Sequence, residues 1–146
     1  PTPTPTPAVS GSIGPAGGAL WLAWPEHVSM LAMPPGVLTT TETFTVAYGG
    51  QPIVGNQRAL NHALRIESSG TISQPLRLIL GFASYGPVIS NTVNLYRLDT
   101  DSWVTTGITV VEHSPSHVIA WVEGPGAYSL MGTSRFLYLP LLLRDP

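Results

Sequence analysis

A chain of 146 residues holds one sizeable hydrophobic core and not two ordinary ones. Hydrophobic residues make up 43% and charged residues only 10%, with a net charge of −2, so there is much to bury and little charge to hold surfaces apart. The six basic residues are all Arg and lie dispersed, and cysteine is absent, which removes nucleic-acid footprints, disulfides, thiolate metal sites and thiol nucleophiles from the reading.

In chain order, Pro1, Thr2, Pro3, Thr4, Pro5, Thr6 and Pro7 come first. Alternating Pro and Thr favours extended polyproline II and cannot build a packed core. Residues 1–16 are therefore expected to form a Pro/Thr-rich extended linker. Its prolines are candidate assembly contacts, and Thr2, Thr4 and Thr6 are candidate O-glycosylation positions. The start carries no positively charged region followed by an apolar one, so an export signal is expected to have been removed or to lie upstream. No Asn heads an Asn-x-Ser/Thr acceptor, which fits a bacterial source.

Residues 17–132 read as an all-β domain, an antiparallel β-sandwich of about eight to ten short strands punctuated by Gly, Pro, Asn and Asp. Apolar runs at 19–24 and 27–33 are broken by Pro25 and Glu26 and predict neighbouring strands. Over 43–48, alternation puts Phe44, Val46 and Tyr48 on one face and Thr43, Thr45 and Ala47 on the other. The Gly-rich stretch 49–61 reads as a loop long enough to carry a binding function. Leu64 and Ile66, then Leu76, Leu78 and Leu80, point inward in two further strands. Later strands are predicted over 92–98, 103–106, 108–112, 117–122 and 127–131. Trp21, Trp24, Trp103, Trp121, Tyr96 and Tyr128 fall inside strands, where core packing is the ordinary role and a sugar-stacking platform the sharper alternative.

Several of these runs form a recognisable pattern. Gly17-Gly18-Ala19-Leu20-Trp21-Leu22, a second run closing on Met33-Pro34-Pro35-Gly36-Val37-Leu38, and Thr43-Phe44-Thr45-Val46 resemble the opening of the sandwich domain shared by zonula occludens, netrin-receptor and ankyrin proteins. Val93-Asn94-Leu95-Tyr96-Arg97-Leu98-Asp99, Ser102-Trp103-Val104 and the Gly126-Ala127-Tyr128 strand are similar to bacterial surface forms of that domain. The resemblance spans residues 17–132 and implies a protein-interaction sandwich without a cofactor. Self-cleavage at a Ser after an aromatic residue, found in some relatives, is not implied here, because Ser114 follows His113 and precedes Pro115.

Residues 133–146 form an apolar tail. Phe136, Leu137, Tyr138, Leu139, Pro140, Leu141, Leu142 and Leu143 are too few to span a bilayer as a helix, which takes about 20 residues, and suit an extra terminal strand. Similar Tyr-Leu-Pro-Leu endings close secreted bacterial surface proteins. Such a strand can add to its own sheet or to a neighbour's.

Candidate chemistry is sparse. His113 and His117 beside Glu112 have metal-ligand character, but Pro115 between them argues for a turn. Asp99 and Asp101 alternate as in some calcium loops, without the third acidic ligand. The Ser in Gly11-Ser12-Ile13-Gly14 lacks a strand-to-helix elbow. The expectation is thus a non-enzymatic extracellular module of a bacterial cell-surface assembly, without cofactor, nucleic acid or membrane span. It is expected to associate with copies of itself or other surface proteins, into a filament or layer, by strand addition through its tails. A surface-displayed module that binds carbohydrate or protein is the alternative.

Overall fold

A computed structural model describes residues 8–24 and 27–134. These residues fold into two antiparallel sheets packed face to face, an all-β sandwich. The strands are β1 (Ala8–Ile13), β2 (Gly18–Trp24), β3 (His27–Met33), β4 (Glu42–Tyr48), β5 (Ile53–Val54), β6 (Gln57–Ala59) and β7 (Leu64–Ser68). They continue as β8 (Leu76–Gly81), β9 (Asn94–Asp99), β10 (Ser102–Val104), β11 (Ile108–His113), β12 (His117–Val122) and β13 (Gly126–Thr133). A single 3₁₀ turn, Ser90–Thr92, precedes β9.

The smaller sheet runs β11-β12-β8-β3-β2. The larger runs β1-β4-β7-β13-β6-β5, with β9 also on β13 and β10 on β9. Tyr128 pairs with both Leu64 of β7 and Arg97 of β9, while Met131 pairs with both Ala59 of β6 and Asn94 of β9. Hence β6 and β7 share one side of β13, and β9 with β10 occupies the other.

Period-2 alternation builds the core. Phe44, Val46 and Tyr48 are buried, as are Leu64 and Ile66 between exposed Arg65 and Glu67. Leu76, Leu78 and Leu80 of β8 face them from the other sheet, with Val118, Ala120 and Val122 of β12 beside them. Each fully buried aliphatic or aromatic side chain contributes about 1.5–3 kcal/mol.

Glycine permits two close approaches. Gly81 ends β8 against β3, where a Cβ would overlap the Val28 carbonyl oxygen. Gly17 turns β1 into β2 with φ of 80°, and its amide donates to the Gly14 carbonyl at 2.9 Å.

Three features differ from expectation. Ala8–Ile13, assigned to the linker, is instead an edge strand paired along β4 from Ala8↔Ala47 to Ile13↔Glu42. Ile13 at its end is only 2% exposed. The small residues Ala8, Ser10, Gly11 and Ser12 have little strand propensity of their own, and pairing with β4 supplies what they lack. The stretch read as a loop over 49–61 contains the β5–β6 hairpin, closed by Gly55 at φ 58°. The described strands exceed eight to ten because β5, β6 and β10 are only two or three residues long. The assembly positions Pro1, Pro3, Pro5, Pro7, Phe136, Leu137, Tyr138, Leu139, Leu141, Leu142 and Leu143, and Thr2, Thr4 and Thr6, lie outside the described residues.

Candidate interaction surfaces

The two outward faces of the sandwich differ in chemistry. On the larger sheet, polar side chains hold part of the outward face: Ser10 hydrogen-bonds Thr45 at 2.8 Å, and Arg65 lies 3.4 Å from Glu67. On the smaller sheet an apolar band crosses the face from β2 to β12. Trp21 pairs with Met30, Met30 with Ile79 and Ile79 with Ile119, so four apolar side chains stand in one transverse row on β2, β3, β8 and β12. Each alternates with inward neighbours such as Leu22, Leu31, Leu78 and Val118. Trp21 is 62% exposed. Val28 is also exposed, and Trp121 is half-buried beside the row. Arg77 pairs with Trp121 and lies down on the sheet, its Nε donating to the Ala32 carbonyl at 3.0 Å, and Glu112 of β11, paired with Ile119, ends the row.

Apolar residues also line two free edges. On β11, which ends the smaller sheet, Val110 is exposed and Val111 is 60% exposed. The β11–β12 register shifts between Val110 and Glu112, a bulge of the kind that blunts an edge. On β5, Ile53 is 72% exposed, but the strand is two residues long.

A groove of about 400 Å³ crosses the outward face of the larger sheet. Trp103 and Leu98 wall one side, Ala63, Arg65 and Ala127 form its floor, and the Gly49-Gly50-Gln51-Pro52 segment forms the opposite rim. Beside it, a hollow of about 310 Å³ opens over Tyr128. The Tyr128 hydroxyl donates to the Gly124 carbonyl at 2.5 Å, closing the turn that leads into β13. Burial pushes this hydroxyl up to about 12, with Arg97 and the Gly124 bond pulling it down and Glu123 adding to the rise.

The densest polar cluster is the turn between β11 and β12. Ser114 Oγ sits 2.9 Å from His117 Nδ1, and His117 Nε2 sits 2.5 Å from Glu112 Oε2. The amides of Ser116 and His117 both donate to Ser114 Oγ, at 3.2 and 3.1 Å. A chain in which Ser114 donates to Nδ1 and Nε2–H donates to Glu112 satisfies all three groups. His113 points elsewhere, with its Nε2 3.4 Å from the Tyr85 hydroxyl. The two histidines considered as a metal pair are therefore partnered separately. Ser114, which sequence reasoning set aside, joins the cluster because the four-residue turn folds it back, and no spacing rule for ligands signals that.

Asp99 faces Ser102 across the β9–β10 turn. Among the described residues no three His, Cys, Asp or Glu side chains gather as a metal site, and no helix is long and apolar enough to cross a membrane. Trp121 is half-buried and packs against the core, Trp103 is half-buried and Trp21 is exposed; the side chain of Trp24 lies outside the description. A scan against known protein families matches no family model, and a search of curated proteins finds no match.

Proposed function

We propose that the chain is a non-enzymatic structural module of a bacterial extracellular or cell-surface assembly, and that it associates with copies of itself through the outward face of its smaller sheet. The observation that carries this reading is the row Trp21–Met30–Ile79–Ile119. A sandwich sheet whose outer face meets water ordinarily alternates apolar inside with polar outside, as β7 here does with exposed Arg65 and Glu67. Apolar residues on both faces leave the smaller sheet with a second surface to bury. Two copies packed face to face about a two-fold axis would cover it, since such an interface uses one patch twice.

Within this reading, residues 136–143 add as a strand to a free edge of a neighbouring copy and extend pairs into a filament or layer. The resemblance over residues 17–132 to an interaction sandwich points the same way. The polar turn supports a structural role as well, because two backbone amides occupy the Ser114 oxygen that a nucleophile would need free.

Sedimentation of the full chain beside Trp21→Glu tests the proposal. Association of the parent and a monomeric, equally folded variant support it; a parent that stays monomeric at all concentrations refutes it.

The exposure of Trp21 favours a second reading, adhesion to carbohydrate, in which the indole stacks on a sugar ring. Titration with soluble polysaccharides separates the two, since binding by the monomer that Trp21→Ala abolishes would select this alternative.

A further inference from the structure

We infer that the groove on the outward face of the larger sheet is a binding site for an acidic polysaccharide, with one uronic-acid ring held between Arg65 and Trp103. This site is on the opposite side of the sandwich from the proposed association face and does not rest on it.

Register places the parts. Arg65 of β7 pairs with Ala127 of β13. Tyr128 pairs with Arg97, which sets Leu98 of β9 beside Ala127, and Leu98 pairs with Trp103 of β10. Arg65, Ala127, Leu98 and Trp103 thus follow one another across four neighbouring strands. Ala127 has the smallest side chain of the four, so a recess two strand spacings wide, about 10 Å, opens between the arginine and the apolar wall. Ala63 continues its floor, and residues 49–52 close the far side. Small floor residues between raised walls admit a flat pyranose ring. At Leu98, which lines both, the groove meets the hollow holding Arg97 and Glu123, so the next unit of a chain has a place beside the first.

Charge selects the kind of ring. Among the described residues that line the groove, Arg65 is the charged one and none is acidic. Its ion pair with Glu67 is long, at 3.4 Å, and both side chains are more than half exposed, so the guanidinium keeps donors for a second carboxylate. A carboxylate carried on the ring accepts two parallel hydrogen bonds from that fork. The Trp103 indole and Leu98 give the C–H face of the ring an apolar surface. Gln51 and the backbone of Gly49 and Gly50 offer partners for its hydroxyl groups. A purely apolar acid would use the wall and the fork but leave this polar rim unused.

Titration of the dilute, isotope-labelled full chain with trigalacturonate, read on amide and indole resonances, tests the inference. The expected result is movement of the Gly50, Ala127 and Trp103 signals, with Trp21 and Val110 on the other sheet unmoved. Binding should weaken at least about tenfold for the neutral trisaccharide galactotriose, and equally for trigalacturonate on Arg65→Gln, the worth of one charge-assisted contact. Trp103→Ala should abolish it. The comparison of acidic with neutral trisaccharide uses the parent chain alone, so it holds whatever a substitution does to folding. Groove signals that stay in place at millimolar trigalacturonate overturn the inference, as do equal affinities for the two trisaccharides. An equally strong response to benzoate also overturns it, by assigning the groove to small apolar acids. Movement of Trp21 in place of Trp103 overturns it by moving the saccharide to the other sheet.

Discussion

Trp21 and Ile119 stand on one transverse row of the smaller sheet, three strands apart, and both project away from the core. Met30 and Ile79 fill the row between them. An association driven by such a face has a thermodynamic signature: apolar burial weakens on cooling and strengthens with excluded salts such as sulfate. Sedimentation equilibrium should show dimers loosening near 0 °C and tightening with ammonium sulfate. Charge-driven association would instead weaken as salt screens it.

Tyr128 reports on the integrity of the larger sheet. Replacing it with Phe removes the donor to the Gly124 carbonyl and should lower stability by about 1–2 kcal/mol in urea unfolding. The same hydroxyl gives a pH signature. Its folded value is raised to about 12, whereas an unfolded phenol titrates near 10. The folded state keeps a proton that the unfolded state has lost, so this contribution is full below pH 10 and lost as pH rises toward 12. Unfolding midpoints of the parent should fall across that window, and Tyr128→Phe should flatten the fall. Tyr48, raised by burial against the opposing effect of Ser29, leaves a remainder of the same sign.

Gly81→Ala should be among the most damaging conservative changes. The new methyl group meets the backbone oxygen of Val28, which cannot rotate away, and β3 and β8 are central strands of their sheet. A loss of about 3 kcal/mol or more is expected in denaturant unfolding, against less than about 0.5 kcal/mol for Gly50→Ala, which meets nothing within 4 Å.

Asn61 ties the two sheets together. Its Nδ2 donates to the Gly81 carbonyl at 2.5 Å, while the Gly81 amide donates to Ser29 Oγ at 3.2 Å. Asn61→Ala strands that buried carbonyl and should cost about 1–3 kcal/mol, measured by thermal unfolding.

Much of the sandwich is legible in the sequence where one strand carries its own pattern. Phe44, Val46 and Tyr48, and Leu76, Leu78 and Leu80, declare their inward face by alternation alone. β1 does not, because Ala8, Ser10 and Gly11 become a strand only through β4. The apolar face was hidden for a related reason. Trp21, Met30, Ile79 and Ile119 belong to four strands, and a single sequence does not tell which residues stand side by side once those strands pair. Read one strand at a time, Trp21 looks like another core aromatic. The contact of Ser114 with His117 was equally illegible, since it depends on the turn that folds them together.

The central claim is that the row through Trp21 is covered by a second copy. Hydroxyl-radical footprinting of the full chain across a concentration series measures that cover residue by residue. Oxidation of Trp21 and Met30 should be high in dilute protein and fall together as concentration rises, while that of Trp103 on the other sheet stays constant. Equal oxidation of Trp21 at every concentration, in protein that remains folded, would contradict the account.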